Sequence, residues 1–517
     1  MISKTFAALA AFASTAFGTN PTGLHASLDI AVIEQAKDVY MQKIVETLNN
    51  LQLPDINSDD GKDYLHSNHV TVNQSTQDVQ FSVDTAQNAL KLTMNNLSAN
   101  FYTDSFRAHS WIFVAKGHAE VDMKTVNIGL GLSFSTQTTA DGKVVPAVSA
   151  VDVLVDINRN DISISIWGNI WADFASAFEI FFKSTVVGLI QDTVRDTLTT
   201  TIPNYLNAEF AAMDGNLLVP GTEFWNLDWQ TPLAAVVTDT TFELGAKGIM
   251  YDSQIGESEW STDFADMAYK DTAESAQFQV FLSDTSIDSL LGSYLEVGTI
   301  EGWLYGDQLP GSMNTTTVTA GLLDTALPGF AAKYGADTIV DIRGACTDLH
   351  GFASSAADQD VTVYGTANLQ FWPRLSDGST EIAVEMNLVD IKFTGGIDIN
   401  NFMATGDISK FLVDKIDIVT STIGSLSAFK LKVEFNTVSK LLVPELNKFI
   451  SKYQVPIPSD IMGIFILSDL FLKYEDGYIF GGATPTFQAP TTSDKKLQAS
   501  VEIVEEASEV FLRLIQI

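Results

Sequence analysis

The residues that could carry chemistry are few. His66-Ser67-Asn68-His69 sets two imidazoles three positions apart. That spacing supplies part of a zinc site, which needs three or four ligands. No further ligand run follows it, and the chain has only six histidines, so the pair reads as surface or loop residues. Glu475-Asp476-Gly477 reads as a turn, because a calcium loop needs more oxygen ligands at fixed spacing. Cys346 is the only cysteine, so no disulfide can form within the chain, and nothing beside it in sequence activates the thiol. There is no G-x-S-x-G elbow and no phosphate-cradling glycine loop. The 64 Asp and Glu residues are too many for any pair to stand out. The expectation is a protein that is not an enzyme and holds no metal or cofactor.

What remains is apolar length. The 517 residues exceed one comfortable hydrophobic core and imply two or more domains. With 46% hydrophobic and 18% charged residues the chain folds rather than staying disordered. The formal net charge of −35 argues against nucleic acid, whose phosphates need Lys and Arg, and against charge-driven docking on anionic membranes. Residues 1–18 read as a secretory signal peptide, with Lys4 before the apolar run Phe6–Phe17 and small residues at Ser14, Ala16 and Gly18. Secretion makes Asn73, Asn96 and Asn314 candidate glycosylation sites. A secreted chain without disulfides must rest on its core.

The elements that would position a site follow from periodicity. Asp29–Leu51 has helical period, with Ile33, Ala36, Tyr40, Ile44 and Leu48 in one stripe. From Val70 to Ile166 the period becomes two, through Val79-Phe81-Val83, Val126–Phe134 and Val151–Ile157. These are antiparallel strands with one apolar face, longer than the common ~5–6 residues, and they suggest an elongated barrel around a helix. Trp171–Leu206 is helical again, and Pro203 should bend or end it. Ala234–Met250 reads as paired strands around Asp239. The second half repeats the order, with period-two stretches over Val361–Phe371 and Ile382–Phe393, an apolar-striped helix over Phe429–Tyr453, the stop Pro456-Ile457-Pro458, and strands over Phe465–Phe480. Val236–Leu244 sets weakly against Ile466–Tyr474, Asp239 against Asp469 and Ile249 against Ile479, at one constant offset. This is the sign of a duplicated domain. Thr315–Phe352 gives no clear pattern, and residues 491–517 form an apolar and acidic tail. A helix packed tightly on its sheet would be ordinary core. A helix held off it would leave an apolar cleft, and an acyl chain gains about 0.8 kcal/mol per buried CH₂. The sequence leaves both readings open.

In order and spacing the chain resembles the family of bactericidal/permeability-increasing protein, lipopolysaccharide-binding protein and cholesteryl ester transfer protein. The resemblance is carried by Ile44–Ile56, Val126–Phe134, Asn169–Leu198 and above all Leu442–Gly482. It implies an α+β fold of two elongated antiparallel β-barrels, each wrapped on long helices and joined by a central sheet into a boomerang. The barrels would span residues 19–230 and 251–490, with the central-sheet strands and linker at 231–250. The resemblance further implies a secreted, monomeric lipid-binding or lipid-transfer protein. It would take phospholipid-type acyl chains into two apolar pockets and touch a membrane or lipid particle transiently. The pocket walls would draw on Val32, Tyr40, Ile44 and Leu48; on Phe178, Phe182, Val186, Ile190 and Val194; and on Phe429, Val433, Leu442, Leu446 and Phe449. Two departures bear on the alternative of innate-defence recognition of bacterial lipopolysaccharide. The family's N-terminal disulfide cannot form here. The basic tip is also missing, since residues 19–230 hold 11 Lys and Arg against 25 Asp and Glu. Arg107, Lys116 and Lys143 are the few cations near expected hairpin tips, and three together would make a weak patch. A further alternative is a structural secreted protein whose pockets are filled.

Overall fold

A computed structural model describes residues 22–35, 37, 49, 52–53, 55–57, 62, 64–73, 78–110, 113–169, 183, 187–188, 190–212, 216–218, 225–254, 256, 264–267, 276–296, 301–308, 317–450, 455–456, 460–461 and 465–487. The expected signal peptide at 1–18 and the tail at 491–517 lie outside the described residues.

Period-two patterning produces very long antiparallel strands. In the N-terminal half, Ala89–Ser110 pairs with Phe113–Thr138, a strand of 26 residues. Tyr64–Asn73 and Asp78–Asp84 share the outer side of the first, and Val144–Ile157 and Ile162–Asn169 share the outer side of the second. Strands of this length must bend to keep one apolar face inward. The ladder slips at bulges between Met94 and Leu97, Thr103 and Phe106, and Gly129 and Gly131. Phe101, Phe106, Leu97, Val121 and Met123 are fully buried on the inner side.

The C-terminal half is a second meander, running from Glu301–Leu304 through Val340–Ser355, Asp360–Pro373 and Val384–Asn400 to Met403–Ser421. The stretch without a legible pattern, Thr315–Phe352, holds two short helices, Ala320–Leu323 and Phe330–Tyr334, and then the long strand from Val340. At Gly395 the partner strand comes so close that a Cβ would overlap the Asp407 carbonyl oxygen. Gly395→Ala is expected to cost about 1–3 kcal/mol of stability, read from the urea midpoint, because backbone rather than a flexible side chain would have to move.

A third sheet joins the halves. Its order is Val236–Val237, Thr241–Ala246, Leu24–Asp29, Phe278–Ser283, Tyr478–Phe487, Phe465–Glu475 and Asp460–Ile461. The pairing carries a pseudo-two-fold through Ala26 and Val280. It sets Thr241–Ala246 against Tyr478–Ala483, and Val236–Val237 against Lys473–Tyr474. Repetition is therefore real in the strand order, but Asp239 answers Asp476, not Asp469. The stretch Val236–Leu244 turns back on itself, whereas Ile466–Tyr474 runs on as one bulged strand. Leu24–Asp29, which precedes the expected helix and carries no period of its own, is a central strand.

Two helices run past a proline. In the N-terminal half the helix continues to Ala212, and the turn before Pro203 widens to a π-turn over Thr197–Thr201, with Ile202 N–H donating to the Thr197 carbonyl. Proline removes one amide and crowds the carbonyl four residues back, and a wider turn relieves both. In the C-terminal half Ala428–Ile450 is one helix with Pro444 inside it.

Candidate functional site

The two helices take the same place, along a free sheet edge. In the C-terminal half, Asn436 Oδ1 accepts from Val413 N–H at 2.7 Å and its Nδ2 donates to Val413 C=O at 2.9 Å. Asn447 repeats this with Ile408, at 2.7 and 2.8 Å. Between them Ser439 Oγ donates to the Phe411 carbonyl at 2.9 Å. Each asparagine amide thus imitates a neighbouring strand's peptide group. The spacing follows from geometry. Asn436 to Asn447 is about 16 Å of helix, and Ile408 to Val413 is about 16 Å of strand. The helix therefore runs antiparallel to Met403–Ser421 and seals an edge that would otherwise offer unpaired N–H and C=O groups.

The N-terminal half has the same device. Asn207 accepts from Val148 N–H at 2.7 Å and donates to Val148 C=O at 2.9 Å. Gln191 reaches the Val155 carbonyl at 3.3 Å, so this helix too runs antiparallel to its edge strand. Asn49 accepts from Val72 N–H on the opposite side of that sheet. Val187, Ile190, Val194, Leu198, Ile202 and Leu206 form the buried stripe beneath the helix.

Inside the C-terminal half the apolar face is incompletely covered. Leu369, Phe393, Phe411 and Phe435 all lie on the core side, yet each remains partly exposed. Phe393 and Phe411 stack at 4.7 Å, and Phe435 of the helix meets Phe411 edge-on at 6.0 Å. Among the described residues the polar side chains buried as a whole in the two long sheets are uncharged, Asn68, Thr103 and Ser354, as is the helix residue Ser439; Arg107 Nε and Glu434 Oε2 are buried atoms of charged side chains that are themselves only partly buried.

The expected wall residues divide. Val32, Ile190 and Val194 are buried against the N-terminal sheet. Phe429 and Val433 stand on the solvent side of their helix, 77% and 50% exposed, because Leu431 and Phe435 take the face toward the sheet. Tyr40, Ile44, Leu48, Phe178, Phe182 and Val186 lie outside the described residues, as do the side chains of Leu442, Leu446 and Phe449. Asn96 is exposed in a bulge at φ 57, Asn314 lies outside the described residues, and so does the side chain of Asn73. The edge-binding Asn207, Asn436 and Asn447 were not singled out in the sequence. Their only signal is an amide interrupting an apolar stripe.

The candidate chemical groups are occupied structurally. His66 stacks on Tyr64 at 4.2 Å and His69 tilts against Tyr102 at 5.0 Å. Among the described residues no group of three His, Cys, Asp or Glu could hold a metal. Burial pushes the Cys346 thiol pKa up, which disfavours the thiolate a nucleophile needs. Arg107 and Lys116 are cross-strand neighbours near one hairpin end, but Lys143 follows the other end of the 26-residue strand. The three cations therefore form no cluster. No described helix is long and apolar enough to cross a membrane.

Fold and site together define a class: long antiparallel sheets with apolar inner faces, each flanked by a helix clipped to a free edge, joined through a shared sheet. No family model matches the chain, and no curated protein matches it. Solved structures do. The chain is similar to lipopolysaccharide binding protein at 15% identity, over 90% of this chain and 100% of that one, with a TM-score of 0.46. It is also similar to takeout 1 of Epiphyas postvittana at 13% identity, over 35% of this chain and 92% of that one, with a TM-score of 0.26. Lipopolysaccharide binding protein is a member of the family that the sequence resembles.

Proposed function

We propose that this chain is a secreted lipid-binding or lipid-transfer protein with two elongated barrels arranged as a boomerang. It would work without covalent chemistry, as a monomer, by drawing phospholipid-type acyl chains from water or membrane into apolar interiors. The observation that carries the reading is the partly exposed inner row Leu369, Phe393, Phe411 and Phe435. A helix held at the sheet edge by its amides leaves this row partly exposed, and an acyl chain laid along it would complete its cover. A tail of some sixteen carbons gains on the order of 10 kcal/mol from burial. The apolar and neutral side chains that fill the buried positions of the two sheets suit the tail, and a charged headgroup would stay at the surface. The N-terminal signal reading supports secretion.

Native mass spectrometry of protein purified under mild conditions tests this. One or two lipids per chain are expected, released by organic extraction. A mass equal to polypeptide and glycans alone, both as purified and after incubation with phosphatidylcholine vesicles, would falsify the reading and favour filled pockets.

A further inference from the structure

The outward face of the C-terminal sheet is built differently from its inner face. Three cross-strand rows lie on it. Trp303 stands opposite Arg343, which stands opposite Gln370, then Glu385. Beside this row Ala345 is followed by Asn368 and Asn387. On the other side Asp341 stands opposite Trp372. Trp303 and Tyr305 are 43% and 46% exposed, with ring planes only 11° apart at 6.3 Å. Trp372 packs against Trp303 at 5.8 Å, and its indole N–H is buried with no acceptor among the described residues. The polar rows are already knitted together. Glu385 Oε1 accepts from both Asn368 and Gln370 at 3.0 Å, and Asn368 also donates to Asn387 at 2.9 Å.

We propose that this face binds a neutral saccharide, at a site separate from the lipid interior. Three features favour that occupant. Exposed, rigid aromatic rings give an apolar surface for the C–H face of a pyranose at small entropic cost. A row of fixed amides and a carboxylate beside them offers acceptors to hydroxyls, and hydrogen bonds to a charged acceptor are the stronger kind. Charge sets the class. Both guanidinium groups on the face are held by carboxylates, Arg343 by Glu301 and Arg374 by Asp307 and Asp341, the latter pair at 2.6–2.8 Å. Among the described residues the face therefore has no spare guanidinium for phosphate, sulfate or uronate; Lys415, further along it, is held by Asp417 at 2.7 Å, and Glu385 repels anions. The same carboxylates make it a poor seat for an anionic membrane.

Affinity electrophoresis of the full chain in gels containing a soluble β-1,3-glucan, hydroxyethylcellulose, a xylan or an α-mannan tests the proposal. At least one polysaccharide should retard the protein. Trp303→Ala and Tyr305→Ala should each weaken that retardation about tenfold or more, while thermal midpoint and lipid load stay unchanged. Glu385→Gln, which keeps the shape of the row but removes the charged acceptor, should weaken it as well. No retardation by any of the polysaccharides overturns the proposal, as does retardation that survives the double aromatic replacement. Flotation with phosphatidylcholine vesicles that depends on Trp303, in the absence of retardation, would make the face a membrane contact instead. Lipid load is read separately, so a failure here leaves the lipid reading standing.

Discussion

Replacing Asn436 and Asn447 together by alanine is expected to destabilise the C-terminal half by about 2–4 kcal/mol and to free its helix from the sheet edge. Each amide serves two backbone groups of one strand residue, so each truncation orphans an N–H and a C=O. A buried unsatisfied group costs about 1–3 kcal/mol, and water offsets part of that because these sites are only half-buried. Hydrogen exchange should locate the effect, with the Val413 and Ile408 amides accelerating more than amides elsewhere in the strand. Asparagine to aspartate is the sharper probe. In Asn436→Asp the ionised carboxylate would still accept from Val413 N–H, but it would set a second charged oxygen against the Val413 carbonyl. Asn436→Asp should therefore be worse than Asn436→Ala at neutral pH. It should recover as pH falls through the carboxyl range, where the protonated group donates. A loss below about 0.5 kcal/mol with unchanged exchange at Val413 and Ile408 would mean that the helix is held by packing alone. Lipid load should change in step with the seam if acyl chains enter beside this helix, and should be unaffected if they enter from a barrel end.

Much of this architecture is legible in the sequence, and the reasons are local. Val126–Phe134 announces its strand because every second residue is apolar, and the observed strand extends that pattern at both ends to Phe113 and Thr138. The helix at Ala428–Ile450 shows through its stripe despite Pro444. Repetition is visible as element order, but its register is not. Val236–Leu244 and Ile466–Tyr474 have similar residues because both are central-sheet segments, and strand pairing alone reveals which turn answers which. Leu24–Asp29 was hidden for the opposite reason. Both its faces are buried, one apolar through Leu24, Ala26 and Leu28, the other polar through His25 and Ser27. The edge amides were hidden most completely. Asn436 recognises the backbone of Val413, so no complementary residue type marks its partner. Phe429 and Val433 illustrate the converse error, since hydrophobicity on a helix does not say which side meets the sheet.

Acid should weaken the joint between the halves through His25, and His25→Leu should remove that weakness. His25 lies in the central sheet with no exposed surface, opposite Gly245 on one strand and Phe281 on the other. Phe281 meets its ring edge-on at 5.1 Å, and neither ring nitrogen has a hydrogen-bond partner among the described residues. Burial without a partner lowers its pKa to about 4. An unfolded histidine takes its proton near 6.5. Between those values the unfolded chain binds the extra proton, so stability falls as pH falls, by about 3 kcal/mol in all once pH 4 is reached. Glu243, diagonal to His25 and next to Ser27 on the same face, acts with the opposite sign. Burial raises its pKa, with Thr241 Oγ1 donating at 2.6 Å as a partial offset. Its contribution is therefore present below the ordinary carboxyl pKa and lost as pH rises through the raised one. Acidification relieves Glu243 while it burdens His25, so the wild-type profile alone mixes the two. The difference between His25→Leu and wild type isolates the imidazole, because Glu243 is common to both. That difference should widen by about 2–3 kcal/mol in favour of the variant between pH 7.5 and pH 4.5. Glu243→Gln should leave the widening in place. Parallel unfolding curves for His25→Leu and wild type across this range would mean that the buried imidazole is solvated in the native state, and that the acid sensitivity of the joint resides elsewhere.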